Sequence, residues 1–484
     1  MGRNPPKEAD HVRISFARQP ELTVNWCDVG RVTIDVLPDV ALLEIFDFYV
    51  DEEDIESWHT LVHVSRKWRN LVLGSPRRLN LRLCCTARMP VRKTLDVWPS
   101  LPIVVMSYGH NAWDGSNIIA TLEHIDRIRG FSLFGVPSSL LETVLAVMQQ
   151  PYPALTDLKL HCEDETMLHI PDSFLGASAP RLQLLKMNCV SFPGLPKLLL
   201  SSTHLVTLLL RDIPYSGYIS PEAMVTGLSA LTKLERLDIR FKSPRHRPDR
   251  RSRRPPSSIH TRLPALTRWW FKGASDYLED LVARIDAPIL DGFYITFFHQ
   301  LVLDTPQLAQ FISRTPNFKT QDKLCLSFSN SGAWITLPHA FTKEARLELK
   351  ISCEQSDWQL SSLAQICHSS FPQILIATVQ HLHISEDRFS PLDWRDDIDN
   401  DQWLEVLHPF TVVKGLYISR EFVPRIAPAL KELVGERVNA VLPALKTLFL
   451  DDPQSSGPVQ DAVGQFVTTR QISGHPIVVS RWDS

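Results

Sequence analysis

The chain lacks the marks of export, of metal binding and of covalent chemistry. It has no Cys-x-x-Cys pair and no Asn-x-Ser/Thr site, and its eight cysteines, Cys27, Cys84, Cys85, Cys162, Cys189, Cys325, Cys353 and Cys367, are scattered. No disulfide framework or structural zinc is expected, and a reducing compartment, cytoplasmic or nuclear, is. The first thirty residues hold Arg3, Lys7, Arg13 and Arg18 but no apolar run of signal length, and Pro6 stands where a myristoylation site needs Ser or Thr. The greasiest stretch, Lys197 to Leu210, is broken by Ser201, Ser202 and His204, so no membrane helix is expected. An excess of one charge is missing too. The 51 Lys and Arg against 54 Asp and Glu give a net charge of -3, which makes no overall case for nucleic acid or anionic lipid as a partner. Gly-x-Ser-x-Gly, the phosphate-cradling Gly-rich loops and His-Glu-x-x-His are all absent. Asp397, Asp399 and Asp401 alternate like calcium ligands, but Gln402 replaces the loop Gly and His408 the bidentate Glu. His381 and His383 alternate on one strand without a third ligand and read as two exposed histidines on a binding face. The expectation is a protein that is not an enzyme and needs no cofactor or metal.

What is present is length, a core and a repeat. The 484 residues, 44% hydrophobic, can bury a large interior. The template apolar-x-x-apolar-x-apolar begins at Leu101, Ile128, Leu155, Leu182, Leu205, Leu234, Leu266, Leu290, Val379, Val413 and Leu445, mostly 23 to 34 residues apart. Weaker copies surround Leu324-x-Leu326 and Leu347-x-Leu349. Pro153, Pro180, Pro264, Pro288 and Pro443 precede five copies at one offset. The fourth and sixth positions share one face of a short strand, and segments such as Leu140, Leu141, Val144, Leu145 and Met148 have helical spacing. One strand and one helix cannot bury their apolar faces alone, so neighbours must stack. The predicted fold is α/β, with strands in a parallel sheet and helices in an outer layer. Over residues 76–452 this resembles the leucine-rich-repeat horseshoe, although Glu163, Val190 and Ile213 stand where that family carries Asn or Cys.

Leu158, Leu160, Leu185 and Leu208 are assigned to the core, and function to the residues between such leucines. Asp157, Lys159, His161, Lys186, Asn188, Arg211, Arg236, Asp238, Arg240, Arg268, Trp270, Lys272, Tyr294 and Thr296 are expected on the other strand face. Among them Lys186, Arg211, Arg240, Trp270, Lys272 and Tyr294 form the candidate target-binding set. Arginines beside exposed aromatics have the composition of a protein-binding hot spot for an acidic partner. A basic, Pro-rich insert at 242–258 reads as a disordered loop, which is a nuclear localisation signal, a phosphate-binding arm or a merely solvated insertion. Residues 453–484 read as a C-terminal tail and 1–31 as a flexible N-terminal segment.

Residues 32–75 fall outside the repeat and predict three short helices joined by an acidic connector, Asp51 to Asp54. Leu37-Pro38-Asp39 opens the first, Ile55, Trp58, Leu61 and Val62 stripe the second, and Trp68, Leu71 and Val72 line the third. The Leu37-Pro38-Asp39 start, Leu43, Ile45 and the Leu61-Val62-x-Val64-Ser65-Arg66-Lys67-Trp68-Arg69-x-Leu71-Val72 close resemble an F-box. The whole chain is similar to the large F-box repeat proteins of mushroom-forming fungi. The resemblance implies binding to a Skp adaptor, and through it to a cullin, in an E3 ubiquitin ligase. By position, Leu37, Pro38, Leu43, Ile45, Val64 and Trp68 then serve the adaptor contact or the packing that shapes it. A protein target, held by the repeats, completes a substrate receptor, and a non-degradative repeat scaffold is the alternative. Neither a membrane nor nucleic acid is an expected partner.

Overall fold

In the computed structural model the described residues are 34–49, 57–74, 83–85, 92, 95, 101–107, 115–162, 168–243, 260–298, 303–319, 321–338, 345–353, 355–371, 373–387, 399–451 and 457–482. The chain forms two compact units, Met1–Leu81 and Arg82–Ser484. The N-terminal segment 1–31, the acidic connector and nearly all of the basic insert lie outside the described residues.

The three helices expected of the first unit are α1 (Asp39–Tyr49), α2 (Ser57–Val64) and α3 (Arg66–Gly74), after a single 3-10 turn at Ile34–Val36. Pro38 sits just ahead of α1 and its carbonyl accepts from Leu42 N at 3.0 Å, so the missing proline N–H is one the helix start does not need. Ser65 separates α2 from α3 and caps the latter by accepting from Trp68 N at 3.2 Å. Leu42, Leu43, Phe46, Trp58, Leu61, Val62 and Val72 are buried. Trp68 packs on Phe46, ring centroids 4.7 Å apart.

The second unit is built on one 16-stranded sheet. In chain order its strands are β1 (Leu83–Cys85), β2 (Ile103–Ser107), β3 (Ile128–Val136), β4 (Asp157–Cys162), β5 (Leu184–Asn188), β6 (Thr207–Ile213), β7 (Arg236–Phe241), β8 (Arg268–Gly273) and β9 (Gly292–Phe298). They continue with β10 (Lys323–Ser329), β11 (Gly332–Pro338), β12 (Ala345–Ser352), β13 (His381–Glu386), β14 (Gly415–Ile418), β15 (Thr447–Leu450) and β16 (Val478–Arg481). Each of the eleven template copies leads into a strand, β2 to β9 and β13 to β15. Alternate residues point to the helices: Leu158, Leu160 and Cys162 on β4 and Leu185 and Met187 on β5 are buried, while the residues between them are partly exposed. Trp269 stacks on Phe293 at 5.0 Å and meets Phe311 of the helix Pro306–Arg314 edge-on at 5.8 Å, which closes the layer between sheet and helices.

Two features depart from a plain repeat array. Between β9 and β13 the spatial order runs β9, β12, β11, β10, β13, with β11 antiparallel to both neighbours and the β9–β12 and β10–β13 pairings parallel. The weak template copies at Leu324 and Leu347 are thus the outer strands of a meander rather than two further repeats. The second departure concerns residues 453–484, expected as a tail. They hold a helix, Pro458–Ile472, that buries Ala462, Val463 and Phe466, and then β16, which pairs in parallel with β15. The array continues one unit further because Phe466 and its neighbours supply the apolar cover that the last strands need. In the acidic run near residue 399, Asp399 caps the helix Asn400–Leu407 by accepting from Asp401 N at 3.1 Å.

Candidate functional site

Two surfaces stand out, one on each unit. On the first, α1 buries Leu42, Leu43 and Phe46 and turns the rest of its apolar residues outward. Phe48 is 89% exposed, Val40 63% and Val64, at the end of α2, 56%, with Val36, Leu37, Ile45 and Tyr49 exposed as well. A unit this small rarely exposes so many large apolar groups unless they are covered by something else. Of the six residues assigned to an adaptor contact, Leu37, Pro38, Ile45 and Val64 lie at the surface, whereas Leu43 is buried and Trp68 half-buried against Phe46. The latter two shape the unit from inside, Leu43 as a buried residue of α1 and Trp68 of α3 by packing on Phe46 of α1. Lys67 of α3 ties down the N-terminal edge through Asp39 at 3.7 Å and the Leu37 carbonyl at 3.4 Å.

On the second unit the strand face away from the helix-side core carries rows of side chains set by register. One row passes through Lys159, Lys186, Leu209, Asp238, Trp270 and Tyr294. It continues through Glu348, Thr336, Cys325, His383, Tyr417 and Phe449. Trp270 and Tyr294 stack at 5.1 Å with planes 8° apart, and the Tyr294 hydroxyl donates to the Ala345 carbonyl at 3.0 Å. Two residues further along the strands, Arg240 lies opposite Lys272. Arg211, two residues past Leu209 on the neighbouring strand, lies at the same step, where the register slips between Leu210 and Ile213 and Asp212 takes a positive φ of 49°.

Asp238 differs from its sequence-based assignment. It was expected as an exposed residue of the face, but it is 0% accessible, with one carboxylate oxygen 2.7 Å from Nε of Arg211 and the other 2.7 Å from Nε of Arg240. The arginine side chains stay 36% and 35% accessible. Burial of a carboxylate requires such partners, and two arginines shield it from water. Lys186, over the Phe134 ring at 5.3 Å, has its pKa lowered by desolvation first and then by the charges of Arg211 and Lys159. Lys272 lies over the Phe298 ring at 5.7 Å.

Toward the C-terminal end the row becomes aromatic. His383 stacks on Tyr417 at 4.0 Å and Tyr417 on Phe449 at 4.2 Å, with planes 5° and 4° apart, and Trp482 meets the first two edge-on. His383 is therefore a packed residue and not an exposed histidine. Desolvation, with Lys323 and His381 adding positive charge, lowers its pKa to about 3. This ladder was not singled out in the sequence, where only the spacing of His383, Tyr417 and Phe449 at the same step of successive templates hints at it. Lys350 over Trp334 at 4.8 Å was missed because both belong to the meander.

Among the described residues no group of three or more His, Cys, Asp or Glu is placed to hold a metal ion. Burial pushes the Cys353 and Cys367 thiols up to about 12, away from nucleophilic use. What both surfaces can do is bind. No helix among the described residues is long and apolar enough to cross a membrane.

The class defined by this register is an α/β solenoid of leucine-rich-repeat type, with one antiparallel seam. No family model matches the chain, and no curated protein matches it. Among solved structures, the leucine-rich repeat-containing protein LegL7 from Legionella pneumophila is similar at 13% identity and a TM-score of 0.26, over 76% of this chain and 98% of that one.

Proposed function

We propose that the chain is the substrate-recognition subunit of a Skp, cullin and F-box ubiquitin ligase. In this reading the first unit docks on the Skp adaptor and the second holds a protein target on its open strand face. The observation that carries it is the exposed apolar edge of Leu37, Val40, Ile45, Phe48 and Val64 on a small helical unit. Such an edge suits an apolar groove on a helical partner, and it belongs to the same segment whose residues resemble an F-box. The chain contributes no acid, base or nucleophile here. It raises the effective concentration of target lysines near a ubiquitin carrier.

Co-expression with a Skp adaptor followed by size-exclusion chromatography tests the proposal. Wild type is expected to elute as a stoichiometric complex, and Val40→Asp with Phe48→Asp to elute alone while keeping its helical circular dichroism. A folded wild-type chain that ignores the adaptor overturns the receptor reading and leaves a repeat scaffold.

A further inference from the structure

Two carboxylates lie in one row of the open face, and their surroundings treat them oppositely. Asp238 is closed over by Arg211 and Arg240. Glu348 of β12 is half-buried and makes no hydrogen bond or ion pair among the described residues. The two cations of its own strand are engaged elsewhere. Lys350 stands over the Trp334 ring at 4.8 Å, and Arg346 reaches Asp291 at 3.8 Å and the Asn317 carbonyl at 3.1 Å. Burial raises the Glu348 pKa, Lys350 opposes the rise and Asp387 adds to it. A carboxylate held partly out of water with no cation on it is unfavourable, and a cation supplied from outside relieves that cost. The side chains around it leave room for one. Along the row Glu348 follows Tyr294, and Thr336, Cys325 and His383 come next. Tyr294 belongs to the stack with Trp270, and His383 begins the stack with Tyr417 and Phe449. Thr336 and Cys325 are short, so the face dips between two aromatic walls four strand steps apart, about 19 Å, with Glu348 at the foot of the first.

We propose that this dip receives an arginine side chain of the target, its guanidinium paired with the Glu348 carboxylate between the Tyr294 and His383 walls. This deepens, and rests on, the reading of the open face as the target-binding surface. Arginine fits better than lysine, because its guanidinium is planar, forks onto both carboxylate oxygens and gives up water more readily than an ammonium group. The charge of the face selects the place. Lys186, Arg240 and Lys272 make the strands before β9 cationic and repel a basic group, whereas at Glu348 the sign of the row changes. His383 adds no repulsion, since its pKa of about 3 leaves the ring neutral at physiological pH.

The test uses the full chain and three fluorescent peptide pools, randomised around a fixed central arginine, lysine or glutamine, read by anisotropy. The arginine pool is expected to bind at least fivefold more tightly than the glutamine pool, with lysine between them. Glu348→Gln should erase that preference, and Glu348→Lys should turn it toward a fourth pool with a central glutamate. Glu405→Gln, a charge change on the helix Asn400–Leu407, should leave it intact. Thermal melts verify that each variant is folded, and Glu348→Gln, which replaces an unpaired charge by a neutral side chain of the same shape, should melt no lower than wild type. A clear fall in that melt would reveal a structural partner for Glu348 and overturn the site. So would the absence of binding, equal binding of the arginine and glutamine pools, or a preference that survives Glu348→Gln, and a lysine pool that binds as tightly as the arginine pool overturns the assignment to arginine. Adaptor binding is measured on the same preparations: its loss with the arginine preference intact overturns the receptor reading and spares this site, and the reverse result does the opposite.

Discussion

Asp238 shows how a single side chain can be misjudged from spacing and still lie at the centre of its surroundings. Its place in the alternation was legible, since it does lie between Leu237 and Ile239 on the open face. Its burial was not, because that depends on arginines from β6 and β7 closing over it, a tertiary event with no local signal. Replacing Asp238 by Ala frees two guanidiniums to water and opens a small hole. Removing one partner of a fully buried pair is worth 3 kcal/mol or more, but these arginines are partly accessible, so a loss of about 2 kcal/mol is expected in urea unfolding. His383 is the second case. Its folded pKa near 3 lies below the ordinary value of 6.5, so the folded state resists a proton that the unfolded chain accepts. The folded state therefore carries no penalty above pH 6.5 and a growing one as the pH falls toward 3. At pH 4.5 that amounts to about 2.7 kcal/mol. His383→Phe preserves the stack on Tyr417 and should flatten this part of the pH dependence, measured as the difference in unfolding free energy between pH 7 and pH 4.5. Equal pH dependence in the two proteins would show that His383 takes up its proton without resistance.

At the scale of elements, the repeat template found the strands well because a short parallel strand buried on one face imposes a two-residue alternation that survives in sequence. Ile128 to Val136 and Leu234 to Phe241 are examples. It failed in the antiparallel seam, where a strand turns straight back on its sequence neighbours without a helix between them among the described residues. Strand β11, Gly332–Pro338, has no leucine template, since Trp334 and Thr336 take the open face and Ala333, Ile335 and Leu337 the core. Nor can alternation tell an antiparallel strand from a parallel one. The turn into β11 depends on Gly332, which has φ of +154° and would place a Cβ 2.0 Å from the carbonyl oxygen of Ile351. Gly332→Ala therefore pushes β11 away from β12, and a loss of more than about 2 kcal/mol is expected, seen as a lower urea midpoint. The helix after β12 supports the same corner, with Gln359 Nε2 donating to the carbonyls of Ser329 at 2.9 Å and Cys353 at 3.1 Å. On the N-terminal unit, the element reading placed the helices but not which side of α1 faces outward: Phe48 and Val40 are the most exposed large apolar groups of that helix.

For the molecule as a whole, each repeat covers the apolar face of the next, and the final unit matters more than its place at the end suggests. Arg470, fully buried, donates from its Nη groups to the carbonyls of Val438 at 2.8 Å and of Leu442 and Pro443 at 3.2 Å, and so pins the helix Pro458–Ile472 to the preceding loop. Arg470→Met strands those carbonyls in an apolar setting, and about 3 kcal/mol of stability should be lost in thermal or urea unfolding. Removing residues 457–484 uncovers the β15 edge together with the apolar groups under that helix, and the shortened chain is expected to aggregate where the full chain stays monodisperse in light scattering. The antiparallel seam has a different bearing on the array. Elsewhere a strand and its helix form a module that can be duplicated or dropped, because the chain re-enters the sheet beside the place it left. From β9 to β13 it enters three places ahead, doubles back and leaves again, so three strands are stitched into one piece. A lineage can lengthen or shorten the arms on either side of that stitch, but cutting a single strand from inside it would leave its neighbours facing partners of the wrong direction.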